Sequence, residues 1–206
     1  MMKPFTETIE FKKEVNSLEQ FLCSTGLWKN GEIHWLKDTS DHWDHIGIKT
    51  TVEDIESNIR LYSIQLTNHQ SHDINLKLLS KHQMKTAGHE HMTFVSPAEN
   101  VILHFIEHKV ILVNGCCQGE GMKQSTTQSS INIDDEIYWS SSEKGILKYQ
   151  PMAKGKVGSV FSLNVNLQGN SGVRLYTWMI EGETKNEVIQ LDSSLLKNRL
   201  AFPVER

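Results

Sequence analysis

The chain has 206 residues, of which 38% are hydrophobic and 22% charged, and it carries a net charge of −4. That length can bury one sizeable core and fits a single domain over residues 1–206. The acidic balance, with no clustered run of Lys or Arg, excludes non-specific nucleic-acid binding, and no apolar stretch reaches membrane-spanning length.

Residues 1–20 mix charges with single apolar residues, so no signal-peptide core is expected. The odd cysteine set, Cys23, Cys116 and Cys117, favours reduced thiols and a cytoplasmic location. Phe11, Val15, Leu18 and Leu22 fall at helical spacing and predict a short N-terminal helix over 9–23, stopped by Ser24-Thr25-Gly26. An edge strand over 6–11 competes with it. Lys29-Asn30-Gly31 is a turn before a strand at 32–36, 38–44 is polar and turn-rich, and 46–52 is extended again. Residues 59–67 alternate, 68–73 form a loop, and Ile74, Leu76 and Leu78 mark the next strand, whereas 81–90 hold no pattern.

Strands are expected at 92–95, 100–107 and 109–114. The last two are apolar on both faces, as in the middle of a sheet covered on both sides. Residues 124–130 are either loop or a weak edge strand, and 131–139 and 146–149 lead into the strongest strand pattern of the chain. Val157, Phe161, Leu163, Val165 and Leu167 alternate with polar or small residues, Gln168-Gly169-Asn170-Ser171-Gly172 is turn-forming, and 173–180 resume the strand. This pattern predicts a hairpin. Thr184-Lys185-Asn186-Glu187 is a capping box, followed by Val188, Leu191, Leu195 and Leu196 on one face of a helix to about Arg199, with Pro203 beyond it. The expected fold class is therefore all-β, an antiparallel β-sandwich with a short C-terminal helix.

Ten histidines raise the question of a metal. His89-Glu90-His91 would place two imidazoles on one face of a strand, with Glu99 a possible third ligand, which is the basis of a small metal-dependent, cupin-like enzyme. The plainer reading is a pair of solvated loop histidines, and no metal is assigned. His104 and His108 are four apart in surroundings that read as strands, with room for a turn between them, and His69 and His72 sit in a polar loop. The stretch 33–45 combines Trp35 and Trp43 with Asp41 and imidazoles, a set that suits a carbohydrate surface: aromatic faces stack on sugar rings and carboxylates bind hydroxyls. Its bland alternative makes Trp35 core and the rest loop. Asp134 and Asp135 are adjacent, so on a strand they point to opposite faces and do not form a glycosidase pair. Nothing near Cys116-Cys117 predicts a lowered thiol pKa. No Gly-x-Ser-x-Gly, Walker-type or dinucleotide fingerprint is present, so no cofactor is implied.

Two stretches carry a family resemblance. The first is Lys29-Asn30-Gly31-Glu32-Ile33-His34-Trp35-Leu36 with Asp41-His42-Trp43-Asp44-His45-Ile46-Gly47-Ile48. The second is Trp139, Gly145-Ile146-Leu147-Lys148-Tyr149-Gln150-Pro151, Gly155, Ser159 and Tyr176-Thr177-Trp178-Met179-Ile180-Glu181-Gly182 with Glu187-Val188. Together they resemble the N-terminal β-sandwich of bacterial glucoamylase-type glycoside hydrolases (family 15). The resemblance implies a sandwich without the catalytic helical barrel, so no catalytic residue is carried over. The expected protein is then a non-catalytic module that binds a glycan or a protein partner, with Trp35, Asp41, Trp43, Trp139 and Tyr149 as candidate ligand-binding residues. A structural protein that self-associates through a sheet face or the terminal helix is the remaining reading.

Overall fold

The computed structural model describes residues 17–85, 91–198 and 200. Chain order begins with a 3-10 turn at Ser17–Gln20, then β1 (Phe21–Lys29), β2 (Glu32–Trp35), β3 (Ser40–Trp43), β4 (Ile46–Ile55), β5 (Ile59–Asn68) and β6 (Ile74–Met84). It continues with β7 (Met92–Ser96), β8 (Val101–Ile106), β9 (Lys109–Cys117), β10 (Gln124–Ser129) and a helical turn α1 (Ser130–Asp134). Two short strands, β11 (Trp139–Ser141) and β12 (Ile146–Leu147), precede β13 (Met152–Lys154), β14 (Val157–Leu167), β15 (Gly172–Gly182) and the helix α2 (Lys185–Asn198). The strands form a five-stranded sheet ordered β10-β14-β6-β1-β2 and an eight-stranded sheet ordered β13-β7-β8-β9-β15-β5-β4-β3, with β11 and β12 as a separate pair. All pairings are antiparallel, and the fold is an all-β sandwich with a C-terminal helix.

Alternation explains the layers. Leu76, Leu78, Leu163, Val165 and Leu167 of one sheet meet Ile48, Ile64, Leu66, Ile102, Val113 and Leu175 of the other in the main core. A second core lies on the outer face of the eight-stranded sheet, where α2 lays Val188 and Leu195 over Leu61, Leu103, Leu112, Trp178 and Ile180. This is why β8 and β9 are apolar on both faces. A third, smaller cluster joins Ile133, Tyr138, Leu147 and Val160 on the outer face of the five-stranded sheet. It covers only part of that face.

Turn chemistry follows the residues. Asn30 and Gly31 have φ of 51° and 90°, and Asp44 and His45 have 47° and 63°, so both two-residue loops match the right-handed twist of their hairpins. At the helix start the Glu187 amide donates to Thr184 Oγ1 at 3.2 Å, and the Glu187 carboxylate accepts from the Glu183 amide at 2.8 Å. The carboxylate thus reaches one residue further back than in the usual capping box.

Several expectations are corrected. β14 and β15 do not pair with each other: β14 lies between β10 and β6, and β15 between β5 and β9 in the opposite sheet. Residues 168–171 therefore cross from one sheet to the other. Periodicity and turn residues identify two strands and a reversal, but they do not name the hydrogen-bonding partner. Residues 21–23 belong to β1, which runs through Ser24-Thr25-Gly26. Sheet pairing with β6 overrides the helical spacing there, and the rest of that predicted helix and the competing edge strand lie outside the described residues, apart from the 3-10 turn. The patternless 81–84 continue β6, with Ser80 and His82 fully buried, because the interior is polar at that point. Asp38–Asp44 contains β3, 124–129 is an edge strand, and 130–134 is a helical turn capped by the Ser129 hydroxyl. Asp134 and Asp135 thus sit at a helix end instead of on a strand.

Candidate binding site

The predicted site residues fall into three settings. Trp35 and Trp139 are half-buried against the cluster around Tyr138 and Val160. Gly26 leaves room for the Trp35 ring, since a Cβ there would stand 2.7 Å from Cε3. Trp35 Nε1 donates to Glu136 at 2.6 Å, and Lys81 Nζ sits 4.7 Å from the ring centroid. Asp41 and Trp43 bracket His34 instead. Asp41 lies 2.9 Å from His34 Nε2, which holds its carboxyl below the usual range, and the Trp43 ring stacks on His34 at 5.6 Å and packs on the main core. Tyr149, 79% exposed, stands in the connection between β12 and β13.

The histidines divide as sharply. His89 lies outside the described residues. His91 is buried, with Nε2 3.0 Å from His104 Nδ1 and 3.1 Å from Thr93 Oγ1. Glu99 points elsewhere, bonded to Ser96 and paired with Lys185 at 3.0 Å, so His91 and Glu99 do not converge. His91 is a core residue, which corrects the picture of solvated loop histidines. A turn separates His104 from the exposed His108, with Glu107 at φ 51°. Among the described residues, no group of three or more His, Cys, Asp or Glu side chains is placed to hold a metal.

His91 belongs to a sealed polar network between the sheets. His104 Nε2 lies 2.9 Å from Ser159 Oγ and its Nδ1 2.9 Å from Thr93 Oγ1, while His82 sits 3.4 Å from Ser80 Oγ and 3.7 Å from Cys23 Sγ. Phe21 packs edge-on to His104 and Phe161 stacks on His82. Burial pushes His82 down to about 3 and His91 to about 4, and it drives His104 well below 6.5. Burial also raises the Cys23 thiol to about 11. The Ser159–His104 and Cys23–His82 contacts look like nucleophile–base pairs, yet both are neutral; Ser159 and His104 are fully buried and Cys23 is partly so. Desolvation opposes the thiolate–imidazolium state that such a pair needs for attack.

The open chemistry lies on the outer face of the five-stranded sheet. In the register, Trp28 stands opposite Lys77, Lys77 opposite Asn164, and Asn75 opposite Asn166. Cross-strand partners share a face, and Leu76, Leu78, Leu163 and Val165 take the inner one, so these five side chains project outward. With Gln118 and Glu120 from the turn after β9, they line a cleft of about 500 Å³, within the range of small-ligand sites. Asn75, Asn164 and Asn166 are exposed, and their side chains have no hydrogen-bond partner among the described residues. Trp28 is fixed: Nε1 donates to the Ser142 carbonyl at 2.8 Å, and Gly145 packs so closely that a Cβ would stand 2.8 Å from the ring. Lys77 donates to the Gly145 carbonyl and lies 5.3 Å from the Trp28 centroid, with burial lowering its pKa. Sequence reasoning missed this site. Its only trace is the alternation Asn75-Leu76-Lys77 and Asn164-Val165-Asn166, which matters once the two segments are known to be neighbours.

No protein-family model matches the chain, and no curated protein matches it in sequence. Among solved structures the chain is similar to a heparinase III with methylated lysines, with a TM-score of 0.42 and 13% identity. The match covers 80% of this chain and only 22% of that one. At that TM-score the likeness carries no argument about site or activity.

Proposed function

We propose that this β-sandwich is a non-catalytic saccharide-binding module and that its ligand occupies the cleft beside Trp28. The observation that carries this reading is the row of unpartnered Asn75, Asn164 and Asn166 beside a fixed indole on an open sheet face. A primary amide offers donor and acceptor together, which is what a ring of hydroxyls requires, and an indole face covers the apolar C–H side of a sugar. Glu120 and Lys77 add one acceptor and one donor. The resemblance to glucoamylase-type sandwiches, resting on residues such as Trp139, Tyr149 and Trp178, points to the same ligand class. We place the protein in the cytoplasm, in keeping with free thiols at Cys23, Cys116 and Cys117; no described helix is long and apolar enough to cross a membrane.

The test is a saccharide panel including maltooligosaccharides, read by melting temperature and calorimetry. At least one neutral saccharide raises the melting temperature of the wild type, and Trp28→Ala abolishes the shift. No shift across the panel, or a shift that survives Trp28→Ala, contradicts the reading. A protein partner is the second reading, favoured by the exposure of Ile131, Ile137, Ile146, Tyr149 and Met152 between α1 and β13. Sedimentation of the wild type against Ile131→Asp tests self-association through that region.

A further inference from the structure

We infer that the ligand is a linear oligosaccharide that runs along β14 toward the crossover into β15, an inference that rests on saccharide binding in the Trp28 cleft. A second cavity of about 340 Å³ is lined by Asp73, Gln118, Asn166, Leu167, Gln168, Ser171, Gly172 and Val173. It shares Gln118 and Asn166 with the first. The two cavities therefore adjoin at these residues, and we take them together as one groove. From Asn164 to Gln168 the chain advances about 13 Å at about 3.3 Å per residue, and Trp28 to Asn164 adds two strand spacings of about 4.8 Å. Such a path is longer than one sugar ring.

The far end is as well fixed as the near end. Buried Asn68 donates through Nδ2 to the carbonyls of His72, Leu167 and Gln168 at 2.8, 3.3 and 3.1 Å, and its Oδ1 accepts from the Gln70 amide at 2.9 Å. The Gly169 amide donates to Asp73 at 3.0 Å and the Asn170 amide to the Gln70 carbonyl at 2.7 Å, while Ser171 Oγ donates to the Gln168 carbonyl at 2.9 Å. A side chain at Gly169 would collide with the Ser71 carbonyl, so two loops are locked against each other. Gln168 is exposed on this rigid base, and its side chain has no protein hydrogen-bond partner among the described residues. The groove thus carries side-chain amides at both ends and at the point where the cavities meet, and the one indole lies at the Trp28 end. Charge along the groove is mixed, with Asp73 at one end, Glu120 paired to Lys123 at 3.0 Å on the wall and Lys77 beside Trp28, so the amides and the indole, which suit neutral hydroxyls, set the ligand class.

Calorimetric titration with linear glucose oligomers of one to six units, in α-1,4 and β-1,4 linkage, tests the inference. In the linkage that binds, affinity rises at least tenfold between two and five units. Gln168→Ala removes that gain while leaving the disaccharide affinity unchanged, and Trp28→Ala weakens every length. Affinity that is flat beyond the disaccharide, or Gln168→Ala weakening all lengths alike, overturns the extended path and leaves binding at Trp28 standing. If no oligomer of either linkage binds, the extended glucan path falls. If the wider panel also fails to bind, the binding reading falls with it.

Discussion

Two clusters rich in polar side chains stand out among the described residues, and they differ in residue type, access and hydrogen bonding. The network of His82, His91, His104, Thr93 and Ser159 lies between the sheets, all five residues less than 2% exposed, with most ring nitrogens bonded to one another or to a hydroxyl. The row of Asn75, Lys77, Asn164 and Asn166 lies on the outer face, with its amides turned to solvent. Both draw on cross-strand pairs of β6 and β14: His82 faces Ser159 on one side of the sheet, and Lys77 faces Asn164 on the other, while His91, Thr93 and His104 come from the opposite sheet and the segment before it. Imidazoles and hydroxyls invite a catalytic interpretation, and amides do not. Yet the first cluster is closed to any substrate and the second is open, so access and unmet hydrogen bonding identify the functional surface better than residue type does.

If the contrast holds, acid acts on the sealed cluster. His82, His91 and His104 are neutral in the folded chain and charged in the unfolded chain below about 6.5, so unfolding takes up protons there. Stability is fully present above that pH and falls as the pH drops toward about 4 and then 3, by up to about 4 kcal/mol per unit for three groups. Asp192, whose pKa burial raises, works in the opposite sense, because its protonation relieves a buried charge. Urea midpoints measured from pH 8 to 5 fall steeply below 6.5, and His82→Gln reduces the slope by one proton. A flat profile means that the network is wet.

His104→Ala strips partners from Ser159, Thr93 and His91 at once and costs about 3 kcal/mol, with saccharide binding unchanged in the fraction that stays folded. Asp192→Leu leaves the Trp178 Nε1 donor, now 2.7 Å from the carboxylate, without an acceptor, at a cost of about 2 kcal/mol. Asp192→Asn keeps an acceptor and changes stability much less. Chemical denaturation at pH 7.5 separates the two. The smallest effect on stability is that of Asn164→Ala, within about 0.5 kcal/mol, because its side chain is exposed. That variant nonetheless weakens binding, which reverses the pattern of His104→Ala.

Much of the fold is legible in the sequence because alternation and turn chemistry are local. Asn30-Gly31, the Thr184 cap and the two-sided apolar strands β8 and β9 can all be read from short windows. Pairing cannot: the strands at 157–167 and 172–182 look like one hairpin and instead face each other across the core. The site suffers from the same limit. Trp28, Asn75, Lys77, Asn164 and Asn166 come from three strands whose adjacency is set by long-range pairing, so no window of sequence contains the cleft. The dense stretch 33–45 attracts notice, yet β2 and β3 belong to different sheets and carry Trp35 and Trp43 to different clusters.

The central claim is that the open amide row beside Trp28 binds a saccharide. Titrating isotopically labelled protein with a saccharide that raises its melting temperature, and following amide and indole NMR signals, tests it most directly. The prediction is that shifts concentrate on Trp28 Nε1–H and on the side-chain amides of Asn75, Asn164, Asn166 and Gln118, with the sealed His network unmoved. Shifts centred on Trp35, Trp139 or Tyr149, with the Asn75–Asn166 row silent, would contradict it.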